Sequence, residues 1–468
     1  MNISAFRDDL RLQKLLWCVV ALFGLVIAVG AGLPERGHFD VRVLLADAEK
    51  NEVFSWTLYS EEGFMARDAE QGIAQELPAK SIVVSVKKGR IALNGCRLSG
   101  HSVELIPRSG ETGYGDYRYA GTFIVSQRDE RLYLVNKVDI EEYLCSVLRW
   151  EIYPCWPPEV LEAMAIACRT YLFYHVLKSR GSSGDMERRP FDIRATVAHQ
   201  AYKGLHEFDG LRRAVEATSG EVMVFNGKPI EAMYEACCGG VIPAHLEGID
   251  FVRAPYLKRD YACTYCKECR DFSWEETFSL ADLNEAICSY DDGAMPIIDL
   301  HISRKDRAGI VREVKIKTKT GWYRLSGRRI NSMFGGVKSL CCTIKKQGKH
   351  IVMNGHGWGH HLGLCQRGAA AMAQDGWEHR DILTFYYPGV SFTTIRVVTI
   401  PPTVKEEKKE VVEEEASTVE KKPEASLQPV EKVEEKIEKR EAKQKTVCRK
   451  SRLASKRRVA HRERKHKK

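Results

Sequence analysis

Residues 15 to 33 carry no charge and are mostly apolar, with Leu15, Leu16, Trp17, Val19, Val20, Leu22, Phe23, Leu25, Val26 and Ile27 in one run. At helical rise these residues nearly span a hydrocarbon layer of roughly 30 Å. Arg7, Arg11 and Lys14 precede the run, which predicts a cytoplasmic N-terminus and an exported body. Ala28, Gly30 and Ala31 leave a cleaved signal as the alternative, although the run is longer than the roughly 7–15 residues of a signal's apolar stretch. A buried core helix fits poorly, because the run is terminal and uninterrupted. Residues 1–36 are therefore read as a signal anchor or signal peptide. The body is expected in the cell envelope, in the periplasm or another extracytoplasmic space, anchored in the inner membrane or secreted.

The opposite end cannot build a core. Residues 403–468 contain no Phe, Trp or Tyr and hold 22 Lys/Arg against 14 Glu. Too little apolar surface is available there to offset ordering entropy, so a disordered Lys/Glu-rich tail is expected. Its last part, residues 443–468, has 13 basic residues and one acidic one. It is either a solubilising tail or an electrostatic tether to an anionic polymer or surface. The first 402 residues hold 50 basic and 49 acidic side chains, so the body reads as neither a basic nucleic-acid binder nor an acidic protein. Nucleic acid is an unlikely partner on this reading.

Between these ends the pattern alternates in type. Residues 37–130 read as a β-rich N-terminal domain, with β-branched or aromatic runs at 39–45, 81–86 and 117–125. Helical spacing takes over at 137–178, strands return at 220–235 and 296–353, and helix again at 362–387. Strands and helices without a regular βαβ repeat predict an α+β fold, mixed helices and antiparallel strands. Residues 131–395 are read as the second, site-bearing domain.

One helix carries the most informative carboxylate. Asp139 with Glu142 three residues on makes a capping-box start. Ile140, Leu144, Val147 and Leu148 form an apolar stripe, and Glu151 continues it. A carboxylate on a buried face has a raised pKa, the property a general acid needs near neutral pH. The alternative is a helix-end carboxylate paired with Arg149 or Arg169. A second helix starts at Pro157-Pro158, with Val160, Leu161, Met164, Cys168, Tyr171 and Leu172 as its stripe.

The stretch VDIEEYLCSVLRWEIYPCWPPEVLEAMAIACRTYLFYH (138–175) resembles the signature of the SpoIID/LytB family. Asn136, Glu142, Tyr143, Leu144, Val147, Glu151, Glu162, Ala163 and Arg169-Thr170-Tyr171 carry the match, while the family's usual Gln in the last helix is replaced near Ala165-Ile166. TVAHQAYKGL (196–205), CCGG (237–240) with APYLKRDYACTYC (254–266), and NGHGWGHHLGLCQRGAAAMAQDGW (354–377) resemble three further segments in the family's order. SpoIID-like members are lytic transglycosylases that cut peptidoglycan glycan strands between N-acetylmuramic acid and N-acetylglucosamine. LytB-like members are modifiers of a wall amidase. The resemblance implies a glycan-binding cleft, with Glu151 catalytic and peptide-stripped glycan strands as substrate, and a wall amidase as the alternative partner. It makes Arg169, His199, Gln200, Tyr202, Lys203, His360 and Gln366 substrate-binding candidates, with Arg169 equally readable as an anchor of its helix. Trp358, in a Gly-rich loop, offers a ring face to a sugar; the same loop also reads as a tight structural turn. His361 stands where the family usually has Gly.

Fifteen cysteines include the run Cys263, Cys266, Cys269, with Cys237-Cys238 upstream. Ligands two residues apart wrap one tetrahedral ion, so Zn2+ is the leading reading, and some members of the resembling family carry a zinc near the active site. The expected ligands are Cys238, Cys263 and Cys266, with Cys269 or His199 fourth. Disulfides are the alternative in an oxidising compartment. An iron–sulfur cluster lacks its fourth Cys three residues on, where Asp271-Phe272-Ser273 stands.

Overall fold

Strict alternation builds the first part of the body. Ser102–Pro107 buries every second residue, Val103, Leu105 and Pro107, as a strand with one face on a core must. The computed structural model describes residues 39–395 apart from 50–53, 69–70, 129, 182–188, 197–198, 289–296 and 320, together with the short strands Leu25–Ile27 and Val397–Thr399. The rest of the apolar run 15–33 and the tail 403–468 lie outside the described residues. Leu25–Ile27 is not helical: it pairs antiparallel with Val397–Thr399.

The early strands form two sheets. Seven strands run in the order Ile193–Arg194, Asp40–Glu49, Arg131–Asp139, Thr122–Arg128, Ser102–Pro107, Phe64–Asp68 and Ala74–Leu77. Six run in the order Tyr117–Ala120, Glu111–Tyr114, Trp56–Tyr59, Ser81–Lys87, Arg90–Leu93 and Cys96–Arg97. All pairings are antiparallel except that of Ile193–Arg194 with Asp40–Glu49. Val43, Phe64, Leu105, Phe123 and Leu132 of one sheet share a core with Leu58, Ile82, Val84 and Ile91 of the other.

The expected division at residue 130 is corrected by this arrangement. Arg131–Asp139 is an inner strand of the seven-stranded sheet and leads directly into helix α1, Ile140–Glu151. The core runs on without a break through Tyr143, Leu144, Val147 and Leu148 into α2, Pro158–Gly181. The helix α2 is long and apolar enough to cross a membrane, but it is the central core helix, with residues Ala163 to Cys168 wholly buried. Asp139 does cap α1, accepting from the Glu141 N–H at 2.9 Å. The capping box is not completed, because Glu142 turns outward to Arg212, 2.7 Å away on α3, Asp209–Ala217.

Residues 273–356 fold around a separate core of Trp274, Leu300, Val314, Ile316, Ile330, Ile351 and Met353. Two three-stranded antiparallel sheets build this insert: Ser273–Ser279, His350–His356, Cys342–Gln347, and Asp299–Lys305, Val311–Thr318, Gly321–Ser326. Helices α4, Leu280–Cys288, and α5, Gly327–Met333, belong to it. The expected helix at 362–387 is two: α6, Gln366–Gln374, and α7, His379–Tyr386, parted at Gly376, whose φ is +89°. With antiparallel sheets and seven α-helices among the described residues, the class is mixed α and β.

Candidate active site

Glu151 is the last residue of α1, and its position there follows from the stripe that buries the helix. Its side chain is half-buried. Burial raises its pKa; the Ala201 N–H and the Tyr234 hydroxyl partly offset that shift. The Ala201 N–H donates to Oε1 at 3.0 Å. Neither Arg149 nor Arg169 is among the groups that hold it. Arg149 lies over the rings of Phe208 and Trp150.

The segment 199–203 brings several expected residues together around that carboxyl, in different roles. Gln200 is wholly buried: its Oε1 accepts from the Tyr143 hydroxyl at 3.0 Å, and its Nε2 donates to the Cys168 carbonyl at 3.2 Å and toward the Tyr234 hydroxyl at 3.4 Å. It fixes the loop and Tyr234. Tyr202 donates to Asn136 Oδ1 at 2.5 Å from inside the core. Both are therefore corrected from substrate-binding to positioning residues. Lys203 reaches over the ring of Trp150, the residue before Glu151, 4.4 Å from its centre. His199 accepts from the Arg194 N–H through Nδ1 at 3.1 Å and faces the His175 ring, which in turn stacks on Tyr171. Burial holds His175 neutral, its pKa pushed down to about 4.

For Arg169 the contacts are those of the helix anchor and not of a sugar ligand. It is fully buried, bidentate to Glu141 at 2.7 and 3.1 Å, and it donates to Thr218 Oγ1 and to the carbonyls of Glu221 and Val215. No surface is left for a sugar; it ties α2 to the start of α1.

The Gly-rich loop closes the other side. Tyr234–Glu235 pairs in parallel with Leu364–Cys365, which aligns Tyr234 with Leu364. His360 donates from Nε2 to the Tyr234 carbonyl at 3.1 Å and accepts the Leu362 N–H through Nδ1 at 3.2 Å. Both nitrogens are thus used by the neutral ring, whose pKa desolvation and His361 push down to about 4. His361 sits at φ +66°, the left-handed conformation glycine favours, which accounts for glycine there in the resembling family. Its backbone N–H donates to Glu235 Oε2 at 2.5 Å and its ring bonds the Cys238 carbonyl at 3.0 Å. A side chain at Gly363 would meet the Met233 carbonyl at 1.9 Å, so this approach needs glycine. Trp358 is 44% exposed, bridged through its backbone to Cys237, with Lys338 over its ring. Gln366 is buried at the first turn of α6.

Behind Tyr234 lies a cluster of four thiols. Cys238, Cys263, Cys266 and Cys365 are all buried, with their Sγ atoms within 4.8 Å of one another. The expected fourth ligand is corrected: Cys269 turns to Cys237 at 3.4 Å, His199 lies beside His175, and Cys365 takes the place. Four thiolates around zinc at about 2.3 Å stand roughly 3.8 Å apart, close to the 3.6 Å between Cys238 and Cys266. The N–H groups of Cys238 and Gly368 point at Cys365 Sγ, each at 3.3 Å, as suits a thiolate. The residues present fit a tetrahedral thiophilic ion.

Sequence reasoning missed Tyr234 and Cys365. Cys365 stands within LGLCQRG, but nothing local joins it to a partner 127 positions away. A separate cavity of about 440 Å³ opens at the root of the insert, lined by Ser273, Lys305, Cys341 and His356 among others, and Glu151 does not line it.

Comparison with known proteins places this geometry. Residues 128–225 match the family model described as Stage II sporulation protein, SpoIID. Residues 257–363, the whole insert included, match a model described only as a domain of unknown function. An uncharacterized protein of Brachyspira hyodysenteriae is 31% identical over 322 residues, covering 69% of this chain and 84% of that one. The amidase enhancer of Bacillus subtilis is 24% identical over 79% of this chain and 59% of its own length. Stage II sporulation protein D of the same organism is 26% identical over 55% and 76%.

Proposed function

The chain belongs to the SpoIID family, and from that premise we propose that it is a peptidoglycan lytic transglycosylase acting through Glu151. The observation that carries the reading is one half-buried carboxyl, raised in pKa, supported by an N–H and a hydroxyl rather than by a cation. Glycosidases that use water or a covalent intermediate generally need two carboxylates. A single one suffices when the substrate supplies its own nucleophile.

Neutral Glu151 protonates the glycosidic oxygen between the N-acetylmuramic acid and N-acetylglucosamine units, and the C1–O bond breaks. The resulting carboxylate then takes the proton of the muramic C6 hydroxyl, whose oxygen bonds to C1. The product is a 1,6-anhydro end, no water is consumed, and Glu151 is again neutral. The Ala201 N–H occupies Oε1, leaving the other oxygen to carry the proton. The same N–H and the Tyr234 hydroxyl support the carboxylate in the second half. Holding the C6 hydroxyl near C1 supplies much of the rate. Lys203, Trp150, Trp358 and His199 are the side chains available to orient the glycan.

Cys238, Cys263, Cys266 and Cys365 would hold Zn2+, which when bound supplies a rigid cross-link between the strand of Tyr234 and the loop of Cys365. Residues 1–36 would direct the body to the wall side of the membrane, as a cleaved signal or as an anchor that is helical in the bilayer in place of the strand Leu25–Ile27. A second reading rests on the amidase enhancer's similarity over 79% of this chain: a non-catalytic wall-binding protein that modifies an amidase.

Digestion separates the two. The purified chain and Glu151→Gln are incubated with peptidoglycan and with amidase-stripped glycan strands, and products are read by mass spectrometry. Fragments lighter than hydrolytic ones by one water, absent with the variant, are expected. Intact strands with well-folded, zinc-replete protein would overturn the enzyme reading, and stimulation of an added wall amidase would support the second.

A further inference from the structure

The near-neutral charge of the body conceals a division. Residues 299–349 hold 14 Lys/Arg and 3 Asp/Glu, leaving 36 basic against 46 acidic in the rest of the first 402 residues. The insert as a whole, residues 273–356, holds those 14 basic residues against 9 acidic ones, so its basic charge is concentrated in the 299–349 part. Of the three acids in that part, Asp299 stands opposite Lys317. Asp306 is buried against Arg312, and Glu313 is engaged by Ser303 and Arg324.

Part of this charge is organised on one sheet face. In antiparallel pairing, directly opposite residues share a face. Lys317 stands between Asp299 and Trp322, and Lys315 between His301 and Arg324. The intervening positions, Leu300, Ile302, Val314, Ile316 and Leu325, turn to the insert's core. The outer face therefore presents Trp322, Lys315, Lys317, Arg324 and His301 together, with the carboxylates of Asp299 and Glu313 at its margins. Trp322 is 51% exposed, with the His301 ring edge-on at 5.1 Å and the Lys317 ammonium 5.8 Å from its centre.

The insert is also held firmly beside the cleft. Arg312 and Arg304 bind Glu247 of the body, Asp306 accepts the Glu247 N–H, and Gly359 of the Gly-rich loop donates to the Lys338 carbonyl. The insert is thereby fixed to the loop that carries Trp358.

We propose that this face is a second, non-catalytic binding surface for an anionic polysaccharide, namely muramyl glycan with free carboxylates, in which Trp322 stacks on a pyranose and Lys315, Lys317 and Arg324 pair with carboxylates. This rests on the glycan-cleaving reading in its choice of polymer. Stripping stem peptides leaves one carboxylate on every muramyl unit, so the surface selects strands ready for cleavage.

The test uses the full chain in a Glu151→Gln background, so that strands stay intact. Affinity is measured by co-sedimentation or calorimetry for amidase-stripped strands, the same strands methyl-esterified, duplex DNA and anionic phospholipid vesicles. Lys315→Glu with Lys317→Glu should weaken binding to stripped strands about tenfold and lower the salt slope by about 1 for each ammonium removed. Trp322→Ala should weaken it roughly fivefold, and Trp322→Tyr should restore most of that. Both variants alter solvent-facing positions, so unchanged melting curves are expected. Esterified strands should bind the parent as weakly as free strands bind the charge-reversed variant. Unchanged affinity in both variants overturns the proposal, as does loss confined to DNA or vesicles. The readout involves no turnover: absence of cleavage by the wild-type chain would sink the enzyme reading and leave this result standing.

Discussion

Helix α1 carries a carboxylate near each end, and the molecule treats the two in opposite ways. At its N-terminal end Glu141 lies where the helix dipole favours negative charge, and it is locked in a bidentate pair with Arg169. At its C-terminal end Glu151 lies where the dipole opposes charge, half-buried, with only an N–H and a hydroxyl for support. The first end is a fastening. The second is a place where a carboxylic acid can exist at neutral pH and still ionise during a reaction. Matching both residues to one motif says nothing of this difference; what each touches decides it.

The sharpest way to break the comparison is to remove charge at the second end. Glu151→Gln is nearly isosteric and keeps an acceptor for the Ala201 N–H. Loss of cleavage by at least about 10³-fold is expected, with an unchanged circular dichroism spectrum. Stability should even gain. A carboxyl whose folded pKa is raised contributes stability at low pH that is lost as pH rises through the folded value. The melting-temperature advantage of the variant should therefore grow from acid to neutral pH. A variant less stable than the parent at neutral pH would mean that Glu151 is a structural partner after all.

The first end should fail differently. Arg169→Ala leaves the part-buried Glu141 carboxylate without its cation and two carbonyls without a donor, at a cost of about 3 kcal/mol by urea unfolding. Any soluble protein should retain cleavage per folded molecule. A variant that folds normally but loses substrate binding would return Arg169 to the cleft.

The thiol cluster extends the second end, because Cys365 pairs beside Glu235 one residue from Tyr234. Cys365→Ser should empty zinc from the chain by mass analysis and lower the melting temperature by on the order of 10 °C. Cys269→Ser should keep the metal. Zinc lost from both variants alike would restore Cys269 to the ligand set.

Much of this was legible in the sequence where the determinants are local. The stripe of α1 and the Pro157-Pro158 start of α2 come from spacing alone, and Glu151 is their direct consequence. The distinction between Arg169 as anchor and as sugar ligand was not legible, since it depends on Glu141, Thr218, Val215 and Glu221 meeting from distant parts of the chain. The pairing of Tyr234 with Glu151 spans 83 positions and leaves no local trace. The basic charge of residues 299–349 was countable, but averaging it with the acids of residues 275–292 and of the rest of the body hid it. Its two-residue alternation of Lys315, Lys317 and Trp322, Arg324 becomes a surface only once the register is known.

The smallest expected effect probes the finest part of the comparison, the support of the Glu151 carboxylate. The Tyr234 hydroxyl favours the ionised form, so removing it leaves burial less opposed and raises the Glu151 pKa further. In Tyr234→Phe the first proton transfer, which needs the neutral acid, should survive to higher pH. The alkaline limb of kcat/KM should thus move upward. The second transfer, which needs the carboxylate, loses a donor, and the plateau of kcat should fall by about tenfold. The ring and its packing against Tyr171 remain, so stability should change little. A purely structural role for Tyr234 would lower both parameters at every pH and leave the limb in place. A limb that moves downward would show that the hydroxyl opposes the charge on Glu151, and that the acid's pKa is set by the loop at Ala201 alone.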